Sequence, residues 1–127
     1  MHKIKIDTKE KNEIIDITRR IEEFCTDITE GFLYIHVPHT TAAITVNENA
    51  DDDVKKDIIE GLKVFDKGNY MHVEGNSPAH IKSSLMGQNL LIRVEKAKPV
   101  LGTWQGIMFC EFDGPRNRQV WIEKAVG

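Results

Sequence analysis

Apolar residues in this chain repeatedly switch between the two-residue period of strands and the helical period, and that alternation restricts the fold more than any one motif. Ile4 and Ile6, then Ile14, Ile15 and Ile17, mark two short strands joined by a polar turn over residues 8–12. Thr18 is placed to cap a helix whose apolar positions Ile21, Phe24, Cys25 and Ile28 recur at helical spacing, and Gly31 stops it. Residues 32–37 are aromatic and β-branched and read as a central strand that Pro38 breaks; residues 43–46 read as another. Asn47 or Asn49 then caps a long helix with Asp51, Asp52 and Asp53 at its positive end and Val54, Ile58, Leu62 and Phe65 as its buried stripe. After a polar loop, Ser77-Pro78 starts a short helix that Gly87 ends. Leu90, Ile92 and Val94 alternate as a strand. A hairpin then runs from about Thr103 to Phe112, turns at Asp113-Gly114-Pro115 and returns through Val120 and Ile122.

That order predicts an α+β fold with largely antiparallel sheets, two main helices and one short helix, and not a parallel βαβ arrangement. The 127 residues suffice for one core, and no repeat or linker divides them, so a single domain over 1–127 is expected. Acidic side chains outnumber basic ones by 20 to 17 without a lysine or arginine run, which excludes a general nucleic-acid or anionic-membrane binder. A small anion needs only a local pair of cations. No segment has the length of a membrane span or the apolar core of a signal peptide, and the chain reads as cytoplasmic. Cys25 and Cys110 lack metal or redox spacing and read as buried free thiols.

Groups able to bind anions, metals or flat heterocycles concentrate in residues 77–84 and 101–106. His80 falls in the first turn of the helix that starts at Pro78, where free N–H groups can hold a phosphate and Lys82 and Ser83 can add donors; a well-capped helix with a solvated lysine is the plainer reading. Thr103, Trp104 and Gln105 can stack on and hydrogen-bond a heterocycle, although a tryptophan is more often core. His39, at a strand end beside two hydroxyls, reads equally as a functional imidazole or as a loop histidine bonded to the backbone. Together with His72 and His80 it could converge on one metal, since Zn²⁺ accepts three histidines and an open position, but the spacing matches no short metal motif. Asn47 and Glu48 join a strand to a helix. Glu111, facing away from Cys110 and Phe112, meets solvent or, if buried, requires Arg116, Arg118 or a metal as partner.

The segments His39-Thr-Thr-Ala-Ala-Ile-Thr-Val-Asn47-Glu-Asn-Ala-Asp51, Tyr70-Met-His72, Ala79-His80-Ile-Lys82-Ser83-Ser-Leu-Met-Gly87, Leu101-Gly-Thr103-Trp104-Gln105-Gly-Ile107 and Glu111-Phe-Asp-Gly-Pro-Arg116 resemble, in order and over about three quarters of the chain, the YjbQ family, whose members are described as secondary thiamine-phosphate synthase enzymes. The resemblance implies a compact α+β subunit in a homotrimer with sites near subunit boundaries. It also implies a polar set of His39, His72, His80, Lys82, Gln105 and Glu111. The implied reaction joins a hydroxymethylpyrimidine diphosphate to a thiazole phosphate and releases diphosphate. His39, His80, Lys82 and Glu111 are then the catalytic candidates. Ser83, Thr103, Trp104, Gln105, Arg118 and Asn47 are the substrate-binding ones, and His39, His72 and His80 would hold a divalent metal, Zn²⁺ or Mg²⁺. Trp104 and Gln105 would form one pocket wall, opposite His80 and Lys82. A metal-dependent hydrolase acting on a phosphorylated metabolite, or a non-catalytic binder of a phosphorylated heterocycle, fits the same residues.

Overall fold

The computed structural model describes residues 1–126, of residue 126 the backbone only. Its elements are β1 (His2–Asp7), β2 (Glu13–Asp16), α1 (Thr18–Glu22), β3 (Glu30–His36), β4 (Ala42–Glu48), α2 (Asp52–Leu62), a 3-10 turn (Lys63–Asp66), α3 (Ser77–Met86), β5 (Asn89–Glu95), β6 (Lys98–Pro99), β7 (Gln105–Glu111) and β8 (Asn117–Val126). The strands form a five-stranded sheet, β1-β8-β3-β5-β6, and a three-stranded sheet, β2-β7-β4. Every pairing among the described residues is antiparallel, so the α+β class with antiparallel sheets holds.

The sheets face each other across one core. Leu33, Ile35, Val120 and Ile122 from the larger sheet meet Ile44, Ile107 and Phe109 from the smaller, because side chains two apart on a strand share a face. The other face of the small sheet is covered too: Ala43 and Cys110 pack with Ala79 and Phe112, backed by Leu62 and Met86. β7 is therefore buried on both faces from Gly106 to Glu111. An added Cβ at Gly106 would lie 2.7 Å from Cγ of Asn49, so the close approach of that side chain to β7 needs glycine.

Several local expectations change. The turn at Asp113-Gly114-Pro115 does not close a hairpin; it carries the chain from β7 in one sheet to β8 in the other. β1 and β2 likewise belong to different sheets. Thr18 is not a cap but the first residue of α1; its N–H and hydroxyl donate to Asp16 Oδ1, and its oxygen accepts from Ile107 N–H. α1 stops at Glu22 because the bonds beyond tighten to three-residue turns (Cys25 N–H to Glu22 O, Ile28 N–H to Cys25 O). Ile21, Cys25 and Ile28 are nevertheless buried. The short helix is thus α1, and α3 is one of the two main ones. Asp51, not Asn47 or Asn49, caps α2 by accepting from Asp53 N–H. α3 spans the expected segment and ends at Gly87, whose φ of 96° is a left-handed conformation. No helix among the described residues is long and apolar enough to cross a membrane.

Candidate functional site

Glu111 and Arg118 stand on the facing inner sides of the two sheets, each in phase with the core residues of its strand. The expectation that Glu111 could meet solvent fails because the opposite face of β7 is the core between the sheets. With 0% exposure the carboxylate is held from all sides. Oε1 accepts from Thr8 Oγ1 (2.7 Å) and Arg118 Nε (2.9 Å), and Oε2 accepts from Arg118 Nη2 (2.5 Å) and Asp113 N–H (3.0 Å). Arg118 Nη2 also donates to Thr41 Oγ1 at 2.8 Å. Burial alone would raise the Glu111 pKa, but the bonds from Arg118, Thr8 and the Asp113 amide together hold it below the usual carboxylate range. A carboxylate with both oxygens doubly engaged is a poor proton acceptor. Glu111 positions β1, β7 and β8; it does not offer a lone pair to a substrate.

His39 continues past β3 alongside β8, where Nε2 accepts the Gln119 N–H at 2.9 Å. That bond assigns the neutral ring's proton to Nδ1. Burial first, and the Arg118 charge second, push its pKa down.

α3 supplies the next group. Lys82 lies on the helix face turned to the small sheet and is only 3% exposed. Its ammonium pairs with Asp66 Oδ1 at 2.9 Å and stands 5.9 Å from the Phe112 ring centroid. Both side chains line a cleft of about 200 Å³, together with Lys11, Asn76, Asp113 and the amino end of α3. Asn76 Nδ2 donates to Asp113 Oδ2 at 3.0 Å, and Arg116 Nη2 donates to the same oxygen at 2.9 Å. Burial works against ionisation of Asp113, but these two bonds outweigh it and lower its pKa. Two ammonium groups and two carboxylates thus border one small cleft beside an aromatic ring.

The remaining candidates are distributed differently from the expectation. His72 and His80 meet edge to face with ring centroids 5.4 Å apart, and His72 Nε2 is 3.8 Å from Glu74 Oε2. His39 is not brought into that pair, and among the described residues no three His, Cys, Asp or Glu side chains gather to hold a metal. Ser83 is fully buried, donating to Ala42 O and accepting from Gln88 Nε2, so it braces α3 against β4 and is closed to a substrate. Arg118 is committed to Glu111 and Thr41. Cys110, its pKa pushed up to about 12 by burial, is an inert thiol.

Thr103, Trp104, Gln105 and Asn47 are exposed at the opposite end of β7. Gln105 Oε1 accepts from Gly102 N–H, closing its own turn, and Asn47 Oδ1 accepts from Glu48 N–H. Gln105 and Glu111 are the first and last residues of β7, roughly 20 Å apart at strand rise. Within one chain, Trp104 and Gln105 are therefore not the wall facing His80 and Lys82; Phe112 is the aromatic of that cleft. Sequence reasoning also passed over Lys11, Asp66, Asn76 and Asp113. The pair Asn76–Asp113 had a signal, since each begins an X-Ser-Pro or X-Gly-Pro turn, but nothing marked the two turns as neighbours.

A family model described as UPF0047 protein YjbQ-like matches residues 2–126. The UPF0047 protein YugU of Bacillus subtilis is 50% identical over 125 residues, covering 94% of this chain and 95% of its own. A UPF0047 protein of Methanocaldococcus jannaschii is 48% identical, covering 97% and 92%. Among solved structures, an uncharacterized conserved YjbQ/UPF0047 family protein of Clostridium acetobutylicum superposes with a TM-score of 0.94 at 47% identity, covering 98% of this chain and 99% of that one. With a match along nearly its whole length, the chain belongs to the YjbQ-like UPF0047 family.

Proposed function

We propose that the cleft between α3 and the end of β7 binds a diphosphate, and that the chain transfers a hydroxymethylpyrimidine group from its diphosphate to the ring nitrogen of a thiazole phosphate. The observation that carries this reading is the almost wholly buried Lys82 ammonium at the cleft, beside Phe112. A lysine in that setting is desolvated and pre-oriented, so it strengthens its hold on a group whose negative charge grows. In the transfer, the bond from the pyrimidine methylene carbon to diphosphate oxygen breaks, with its electron pair leaving on diphosphate. The thiazole nitrogen supplies the pair for the new carbon–nitrogen bond. Lys82 and Lys11 hold the departing diphosphate, and the Phe112 ring lies beside the pyrimidine carbon while it is cationic.

The donor set also suits a divalent cation of the magnesium kind. Mg²⁺ is usually held by one or two carboxylates plus substrate phosphates, without a complete protein cage, and Asp66 and Asp113 provide such a pair. When bound, it would neutralise charge on the diphosphate. Purified protein given both precursors and Mg²⁺ is expected to form thiamine phosphate and diphosphate in equal amounts, with kcat/KM falling about a hundredfold in Lys82→Met. Wild-type protein that forms no product contradicts the reaction.

A second reading rests on the His72–His80 contact beside Glu74. The two adjacent imidazoles would supply part of a Zn²⁺ donor set, with the remaining positions going to water and a phosphorylated metabolite, and such a metal suits hydrolysis. Zinc retained by chelator-washed protein and lost in His72→Ala favours it; metal-free wild-type protein with full turnover removes it. A homotrimer, which the family resemblance implies, is proposed as well. It draws support from Met71 and Val73, 98% and 97% exposed on the loop before α3.

A further inference from the structure

From Ala50 to Gly75 the chain passes through α2, the 3-10 turn and a loop without placing a single residue fully in the core. α1 buries Ile21 and α3 buries Ala79 and Ser83, but α2 buries nothing. Among the described residues, Leu62 is the one side chain of this segment that packs on a core cluster. Polar ties are as few. Lys55 pairs with Asp52, Lys63 with Glu60, and the Tyr70 hydroxyl donates to the Phe65 carbonyl, all within the segment. Among the described residues, the ion pair from Asp66 Oδ1 to Lys82 Nζ is the one polar bond that joins residues 51–75 to the rest of the fold. A segment held in this way opens at less cost than the sheets it lies on.

The same segment separates two clefts. Lys82, Lys11 and Phe112 line the cleft described above, and Tyr70, His72 and Ser77 line a second one of about 270 Å³. Asp66 and Gly75 border both, so they form the partition between them. Gly75, at the end of the partition, has a φ of 78°, and nothing lies within 4 Å of the position a Cβ would take. It is an uncrowded pivot in a conformation that glycine adopts without strain. Beside it, Asn76 Nδ2 donates to Asp113, while Asn76 Oδ1 is buried with no partner among the described residues. A buried acceptor left unpaired is unfavourable, so the closed joint is held less firmly than its packing alone suggests.

The Asp66–Lys82 pair decides when such a partition can move. Lys82 is 3% exposed, and an ammonium so buried requires a counter-charge. Asp66 supplies it from the solvent side, with its own side chain 45% exposed. Pulling Asp66 away with nothing in its place is therefore costly, whereas an anion that takes over the lysine removes that cost. Diphosphate carries more negative charge than one carboxylate and offers several oxygens to the three N–H groups of the lysine. We propose that Asp66 is an internal stand-in for the anion, and that diphosphate bound to Lys82 displaces it and swings residues 51–75 outward, joining the two clefts. The ligand shifts the equilibrium because Lys82 is available to it only when Asp66 has left.

The inference rests on the anion site proposed above and not on the transfer reaction. Amide hydrogen exchange tests it, with inorganic diphosphate added in the presence of a chelator that keeps Mg²⁺ from recapturing Asp66. Exchange over residues 52–75 is expected to rise about fivefold on binding, with β7 and β8 unchanged. Asp66→Asn and Lys82→Met should show the faster exchange without ligand, and diphosphate should add nothing to it in either. Calorimetry on the same samples reports binding separately. Diphosphate that binds but slows exchange over 52–75, or leaves it unchanged, overturns the displacement while the anion site stands. Variants that exchange as slowly as the wild type overturn it equally. No binding of the metal-free anion also overturns the displacement, and no binding with Mg²⁺ either overturns the anion site as well.

Discussion

The two ends of β7 differ as sharply as any two regions of the molecule. At the Glu111 end the buried charges are engaged: the carboxylate by Thr8, Arg118 and the Asp113 amide, Arg118 by Thr41, Lys82 by Asp66, and Asp113 by Asn76 and Arg116. At the Gln105 end, Trp104 is 64% exposed, and Gln105 and Asn47 bond only to backbone within a few residues. Both ends are equally rich in functional groups as sequence. What separates them is desolvation, which makes charges strong at one end and leaves them screened at the other.

The largest effect expected from that difference is Arg118→Ala. It leaves Glu111 buried without its counter-charge and should cost about 3–5 kcal/mol in urea unfolding, whereas Gln105→Ala should stay within about 0.5 kcal/mol. A similar cost at both positions would erase the contrast. Next comes Gly114→Ala. The added methyl would lie 2.8 Å from Glu111 Cγ and 2.9 Å from Thr8 Oγ1, with the Glu10 carbonyl closer still, so roughly 1–3 kcal/mol is expected from crowding the carboxylate out of its cradle. Wild-type stability in that variant would mean that the cradle yields easily.

Acid should affect the two ends differently as well. The folded state lowers the pKa of His39, so below about pH 6.5 the unfolded chain takes up the proton first and stability begins to fall. Glu111 and Asp113, also lowered, contribute stability that is complete above the usual carboxylate range and is lost as pH drops below about 4. Unfolding free energy measured against pH should therefore decline in two stages, and His39→Gln should remove the upper one. A single stage in the wild type would contradict the burial assigned to His39. The smallest effect belongs to Trp104→Ala, expected to leave stability within about 0.5 kcal/mol.

Much of the fold was legible because the strands and helices announce themselves through period and punctuation: the alternation in β3 and β5, the Ser-Pro start of α3, and Gly87 at its end. Sheet partnership was not, since the Asp113-Gly114-Pro115 turn signals a reversal without saying whether the chain returns to the same sheet. β6 was missed because Lys96 and Ala97, with φ of 51° and 64°, make its turn without the glycine or asparagine that usually marks one. The side on which Glu111 points followed from strand parity. That this side is core did not, because it depends on β7 being covered on both faces. Lys82 is the same kind of case: its place on α3 was readable, but its burial is set by Asp66 and Phe112, distant in sequence. Within one chain Trp104 does not meet Lys82, because motif order carries no information about which end of a strand a residue occupies.

Calorimetric titration of inorganic diphosphate with Mg²⁺ tests most directly whether the anion site lies at the Glu111 end. Binding should weaken at least about tenfold in Lys82→Met, whose side chain keeps the packing against Phe112, and change by less than about twofold in Trp104→Ala. The opposite pattern, with loss in Trp104→Ala and none in Lys82→Met, would move the site to the other end of β7.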